Sequence, residues 1–287
     1  SAASQALEER EFDLCVIDEA TQSTEPSCLI PAVKSDKLIM AGDHKQLPPT
    51  ILNKEAKEEG LSETMFERLI ALFGDDIKTL LRVQYRMHEK IMRFSDEQFY
   101  QGRVVADESV REHTLSDIIG EGRSGKFAEV LDPNEPLILL DTDHQMPERS
   151  KPGSTSKENP GEALLAKEIS QRFLKMGLEP RDIGIITPYD DQTDLIERKI
   201  EKEEIEVDTV DGFQGREKEV IILSLTRSND RDNIGFLKDL RRLNVSITRA
   251  KRKLVVLGDT ETLSTHPVYE ELFDYIEKEG RKVEVSI

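Results

Sequence analysis

Two adjacent carboxylates, Asp18 and Glu19, stand at the end of the apolar run Phe12–Ile17. A buried strand ending in acids delivers them to the carboxyl edge of an open α/β sheet, where such sheets bind ligands. There one acid can hold a Mg²⁺ through its waters while its neighbour orients or deprotonates a water attacking a γ-phosphate. Alone, an Asp-Glu pair is as readily a helix cap. It gains meaning from Lys37–Ala41, one βαβ-sized interval later, which runs into Gly42-Asp43-His44-Lys45-Gln46-Leu47. Gly42 permits a tight turn, and the Gln46 amide can donate to a phosphate oxygen while its carbonyl accepts from water.

Arginine supplies the complementary charge. Arg86 lies in Gln84-Tyr85-Arg86-Met87-His88 and Arg249 in Asn244-Val245-Ser246-Ile247-Thr248-Arg249-Ala250-Lys251, each beside an amphipathic or apolar segment able to hold it rigidly. A guanidinium brought to a γ-phosphate stabilises transition-state charge. In so acidic a chain the ordinary alternative is a surface ion pair. Two further polar segments, Thr187-Pro188-Tyr189 with Gln192 and Val210–Glu217, complete the set.

The elements that must position these residues follow from hydrophobic patterning. Phe12–Ile17, Lys37–Ala41, Leu137–Leu140, Ile183–Ile186, Val220–Leu225 and Leu254–Leu257 read as buried strands. Amphipathic stretches of helical length separate them: Glu63–Phe73, His88–Tyr100, Gly161–Met176, Gln192–Glu203 and Pro267–Glu279. The alternation predicts parallel α/β units. Asn159-Pro160-Gly161-Glu162 predicts a helix start, with Asn as cap and Pro in the first position, after a long polar surface loop over 141–158.

Composition bounds the rest. Hydrophobic residues make up 37% and charged residues 34% of 287, so a folded, highly charged globular chain is expected. A net charge of −18 excludes bulk electrostatic gripping of nucleic acid and leaves room only for a local binding track. Cys15 and Cys28 are too few for a disulfide framework or a zinc pattern and read as reduced thiols. No apolar run approaches the roughly 18 residues of a membrane span, so no membrane partner is expected, and the expected location is intracellular, cytoplasmic or, in a eukaryote, nuclear.

Asp-Glu-Ala-x-Gln, Gly-Asp-His-Lys-Gln-Leu, Gln-Tyr-Arg-Met-His, Gly-Phe-Gln-Gly-Arg-Glu and Thr-Arg-Ala-Lys occur here in one order, with Ser-Lys-x-Asn-Pro-Gly-Glu at Ser156–Glu162. Through them the chain resembles the superfamily 1 helicases of the nonsense-mediated-decay helicase group over nearly its whole length. That resemblance implies RecA-like parallel-sheet domains of a P-loop NTPase helicase, the first incomplete: 1–82 as the later part of the first and 83–287 as the second. It implies ATP in a cleft, single-stranded DNA or RNA as partner, and 5′-to-3′ movement. By the same likeness Asp18 is the Mg²⁺ carboxylate, Glu19 the catalytic-water carboxylate, Gln46 the γ-phosphate contact, and Arg86 and Arg249 the arginine fingers. Gln22, Gly42, Asp43, Tyr85, Gly215 and Glu217 would border the nucleotide, and Thr187, Tyr189 and Thr209 the nucleic acid.

One family element is not in this sequence. A phosphate-cradling Gly-x-x-x-x-Gly-Lys-Ser/Thr loop should precede the acids, yet only seventeen residues precede Asp18. Gly120–Phe127 approximates that pattern but ends in Phe where a hydroxyl is needed and follows the acids, so it reads as coincidence in a surface loop. The expectation is therefore a fragment whose missing N-terminal half is supplied in cis or by another chain, inactive on ATP by itself. A non-hydrolysing nucleic-acid-binding or regulatory module with a helicase fold is the alternative.

Overall fold

The computed structural model describes residues 9–120, 125, 127–200 and 204–285. The chain folds as two units, Ser1–Leu80 and Leu81–Ile287. The near-match at Gly120–Phe127 has residues 121–124 and 126 outside the described residues.

In the first unit, β1 (Cys15–Ile17) pairs in parallel with β2 (Leu38–Met40), Ile17 opposite Met40. The connecting α1 (Glu25–Ala32) carries Pro26 in its first turn, where a missing N–H costs nothing, and Pro31 inside it. Two prolines hid this helix from the periodicity. α2 (Met65–Phe73) starts one residue after Thr64, whose hydroxyl accepts from the Glu67 amide while the Glu67 carboxylate accepts from the Thr64 amide. That reciprocal cap moves the start inward from the expected Glu63. Val16 and Ile39, on one face of the strand pair, are solvent-facing at 60% and 54% exposure.

In the second unit, β3 (Val83–Gln84) pairs in parallel with β4 (Val105–Ala106), and α3 (Glu89–Ser95) lies in the sequence joining them. The main sheet holds β5 (Leu137–Asp141), β6 (Ile183–Thr187), β7 (Glu206–Thr209), β8 (Lys218–Ser224), β9 (Ala250–Gly258) and β10 (Arg281–Glu284). Its order is β10-β5-β9-β8-β6-β7, every neighbouring pair parallel. All five residues of β5 and of β6 are buried, as befits strands covered on both faces. The longer helices of the unit include α4 (Pro160–Met176), α5 (Asp190–Ile200), α6 (Leu240–Ile247) and α7 (Pro267–Glu279). Ala166, Ile169 and Phe173 of α4 and Ile196 of α5 share one core with Ile138, Ile185, Ile222 and Val255 of the strands. Each such large side chain contributes about 1.5–3 kcal/mol on burial.

The start of α4 is as the sequence predicts. The Asn159 carboxamide oxygen accepts from the Glu162 amide at 3.0 Å, Pro160 leads the helix, and Gly177 ends it at φ 110°. The loop before it is less exposed than expected, since Thr142 and Glu158 are buried and Arg149 pairs with Glu158 across a bridge.

Glu162 itself is fully enclosed. Its carboxylate accepts from the Ser224 hydroxyl at 2.6 Å, the Thr226 amide at 2.8 Å and the Asn159 carboxamide at 3.2 Å. Burial outweighs these donors and pushes its pKa up to about 8. The fold thus holds a proton that the unfolded chain releases near the ordinary Glu value. The resulting stability is full at low pH and lost as pH rises through about 8. Lys253 acts oppositely: buried, with Nζ donating to the Asp132 carbonyl at 2.9 Å, it is pulled down to about 7 and adds stability as pH rises above that. Wild type should therefore lose on the order of 2 kcal/mol relative to Glu162→Gln between about pH 6 and pH 9. Urea unfolding of both proteins at the two pH values reads this difference, and parallel curves would refute the raised pKa.

Candidate functional site

The paired acids leave the carboxyl end of β1 as expected. The ladder continues past the strands, with the Ala41 amide donating to the Ile17 carbonyl and the Ala20 amide to the Ala41 carbonyl, both at 2.8 Å. Asp18-Glu19 and Gly42-Asp43 therefore emerge side by side from adjacent strands. Glu19 turns the chain at φ 51°, a left-handed conformation that costs a non-glycine residue about 1 kcal/mol or more. Asp18 Oδ1 accepts from the Glu19 amide at 3.0 Å, and Glu19 Oε2 accepts from Gln22 Nε2 at 2.6 Å. Gln22 thus orients Glu19, and both acids are exposed.

The second loop is tied to the first through Thr21, whose hydroxyl accepts from the Asp43 amide at 3.1 Å. A Cβ on Gly42 would lie 3.0 Å from three Thr21 atoms, so the close approach itself favours glycine. Asp43 accepts from the Lys45 amide and from Gln46 Nε2, each at 2.9 Å, which fixes the Gln46 side chain within its own loop.

In the second unit three sequence-distant segments converge. Gln84 closes a turn on itself: its Oε1 accepts from the Arg86 and Met87 amides, and its Nε2 donates to the Met87 carbonyl, all at 2.8 Å. The turn displays Tyr85, 68% exposed, and Arg86. Arg86 Nε donates to the Glu217 carboxylate, and its Nη1 donates to the Thr248 carbonyl at 3.1 Å. Lys251 reaches the other Glu217 oxygen at 3.1 Å. Burial works to raise the Glu217 pKa, but the Lys251 hydrogen bond and the Arg86 charge hold it below the usual carboxylate range. Gly215, at φ 81°, makes the turn that brings Glu217 here.

Arg249 is only 3% exposed. Its Nε donates to the Val245 carbonyl at 3.2 Å, Nη2 to the Thr248 hydroxyl at 3.2 Å and Nη1 to the Arg216 carbonyl at 3.4 Å. It is thus an internal group rather than the surface-paired arginine composition would suggest. Arg86, Glu217, Arg249 and Lys251 gather where β8 and β9 begin, the amino end of those central strands.

Thr187 and Thr209 lie at the opposite, carboxyl end, paired in register at the close of β6 and β7. The Thr187 hydroxyl is fully enclosed, 2.9 Å from the Thr226 hydroxyl. Thr209 is half-buried and accepts from the Gly212 amide at 3.2 Å. Tyr189 is also internal, its hydroxyl accepting from Arg227 Nη1 at 3.0 Å and the Phe236 amide at 3.3 Å. Sequence reasoning missed the buried Arg227–Glu148 pair at this end, 2.6 Å between residues 79 positions apart. No local spacing marks such a partnership.

Six parallel strands flanked by helices in one unit and acids leaving a strand end in the other make this an α/β chain with the parallel-sheet architecture expected of RecA-like domains. Residues 61–261 match an AAA domain family and residues 1–54 a second AAA domain family. The first of these covers more than half of the chain, which therefore belongs to that AAA domain family. It is 45% identical over 276 residues to an uncharacterized ATP-dependent helicase of Methanocaldococcus jannaschii, covering 96% of this chain and 40% of that protein. It is 41% identical over 277 residues to the DNA-binding protein SMUBP-2 of Mesocricetus auratus, covering 96% and 27%. With the human DNA replication ATP-dependent helicase/nuclease DNA2 the identity is 39% over 287 residues, covering 93% and 26%. The chain thus spans 26 to 43% of the length of the curated relatives it matches.

Proposed function

We propose that the complete protein of which this chain is part is an ATP-dependent DNA or RNA helicase or single-strand translocase. In it Asp18, Glu19, Gln46, Arg86 and Arg249 serve one hydrolytic step. The observation that carries the reading is the gathering of Arg86, Glu217 and Arg249 from three distant segments, since guanidinium groups so held cost no reorganisation when phosphoryl charge develops.

Glu19 takes the proton of the attacking water as its oxygen bonds to the γ-phosphorus and the bridging bond to ADP breaks. The Gln22 hydrogen bond sets the carboxylate for that transfer. Gln46 senses the γ-phosphate, and Arg86 and Arg249 stabilise its charge. Gly42, Asp43, Tyr85, Gly215 and Glu217 border the nucleotide, with the open Tyr85 ring lying against its base or sugar.

Two exposed hard-oxygen carboxylates suit Mg²⁺, which keeps most of its waters and needs only one or two protein ligands beside phosphate. Asp18 would hold that ion, which when bound neutralises phosphate charge. Among the described residues there is no group of three or more His, Cys, Asp or Glu placed to hold a metal without such help. Thr187, Tyr189 and Thr209 form the strand track, the two enclosed side chains acting by fixing strand-end amides that meet the backbone. Among the described residues no helix is long and apolar enough to cross a membrane, and the proposed setting is intracellular. The N-terminal half of the helicase, in cis or as a separate chain, supplies the phosphate loop.

The test is ATP hydrolysis by the complete protein with and without single-stranded DNA or RNA, together with strand displacement on tailed duplexes. Strand-stimulated hydrolysis with 5′-to-3′ displacement is expected. Nucleotide binding without stimulated turnover would favour the non-hydrolysing alternative.

A further inference from the structure

The loop after β8 is built around the ion pair that the hydrolytic step does not use. Arg227, 4% exposed, donates from Nε to Glu148 at 2.6 Å and lies 5.9 Å from the centre of the Tyr189 ring. The same Glu148 oxygen accepts from the Ser228 amide at 3.2 Å and from Asn229 Nδ2 at 3.0 Å. Asn229 folds the next residues over itself, its Oδ1 accepting from the Arg231 and Asn233 amides at 3.2 Å each. Asn233 Oδ1 in turn accepts from the Gly235 amide at 2.9 Å. Gly235 sits at φ 56°, and a Cβ there would fall 2.0 Å from Arg227 Nη1 and 2.7 Å from the Tyr189 hydroxyl, so no other residue fits without displacing the pair.

This framework fixes one side chain outward. Ile234 and Leu237 are 2% and 4% exposed and anchor the loop in the core, whereas Phe236 between them is 59% exposed. Its amide donates to the Tyr189 hydroxyl, and its ring rests 5.7 Å from the Tyr189 ring at 42°. A scattered surface phenylalanine needs no explanation. A phenylalanine backed by a buried tyrosine, with its own amide bonded to that tyrosine's hydroxyl, is a rigid aromatic face turned to solvent. Its neighbours are the strand-end segments themselves. Tyr189 follows Thr187, Thr187 pairs in register with Thr209, and Arg242 beyond Phe236 holds Asp211 beyond Thr209 at 3.1 Å.

We propose that Phe236 is a stacking platform for one unpaired base of a single strand held at the carboxyl ends of β6 and β7. This rests on the nucleic-acid reading above and adds a contact to the base, where the strand-end groups touch only the backbone. Stacking suits a translocase because every base has a π-face and none need be specified.

The test is fluorescence anisotropy of the complete protein on labelled oligo-dT and on the same strand carrying abasic sites. Phe236→Ala and Phe236→Leu should weaken oligo-dT binding about ten-fold, Phe236→Trp should retain it, and none should change binding of the abasic strand. Because the ring is exposed, melting temperatures should match wild type. The platform is overturned if Phe236→Leu binds oligo-dT like wild type, or if the loss is equal on the abasic strand. Wild type that binds neither strand would remove the nucleic-acid reading and this inference together, whereas intact wild-type binding with unaffected variants removes the platform alone.

Discussion

Arg249→Ala in the complete protein is expected to lower strand-stimulated ATP turnover about a thousand-fold while changing single-strand affinity little. The size follows from the charge that develops on the γ-phosphoryl group, which one guanidinium neutralises in the transition state far more than in the ground state. Arg249→Lys should not restore most of the loss. An ammonium is a single point, whereas Arg249 spreads donors to Val245, Thr248 and Arg216 and so holds a fixed orientation. Its 3% exposure supplies the competing account, a purely structural arginine. That account predicts a lowered melting temperature in both variants with turnover falling only in proportion to unfolding. Turnover, oligonucleotide affinity and thermal unfolding measured together separate the two. Near-normal turnover in a folded Arg249→Ala protein would end the finger assignment.

Glu19→Gln should lower turnover about a hundred- to ten-thousand-fold, the range for removing a positioned general base. The substitution is close to isosteric. A Gln carbonyl at position 19 can still accept from Gln22, and the left-handed backbone is no harder for Gln to adopt than for Glu. Folding and oligonucleotide affinity should therefore be unchanged, which makes the loss chemical. Retention of more than about a tenth of wild-type turnover would exclude Glu19 as the base.

Much of the architecture is written locally. Continuous apolar runs mark β5, β6, β8 and β9 because strands buried on both faces carry no polar alternation. The Asn159 cap and the acids at the end of β1 were equally legible, being fixed by neighbours in sequence. The sheet edges were not. β7 holds Glu206 and Asp208, and β10 holds Arg281, Lys282 and Glu284, charges that protect an edge from unwanted pairing and disguise a strand as loop. α1 was obscured by its prolines.

The candidate site divides along the same line. Residue types and order picked out Arg86, Glu217 and Arg249, but not that Arg86 bonds Glu217 across 131 residues or that Arg249 turns inward. Likewise the resemblance assigns Thr187 and Tyr189 to the nucleic acid, but it does not reveal that their side chains take Thr226 and Arg227 as partners. Which long-range partner a polar side chain takes is decided by packing, and packing leaves no periodic trace in sequence.

The claim that Glu19 and Arg249 serve one hydrolytic step is tested most directly by combining Glu19→Gln with Arg249→Ala and measuring strand-stimulated ATP turnover. Groups that act as a unit lose their effect together, so once one is gone the other has little left to contribute. The double variant is predicted to fall within about ten-fold of the more damaged single variant. Losses that multiply across the two substitutions would contradict the account and assign the residues to independent roles.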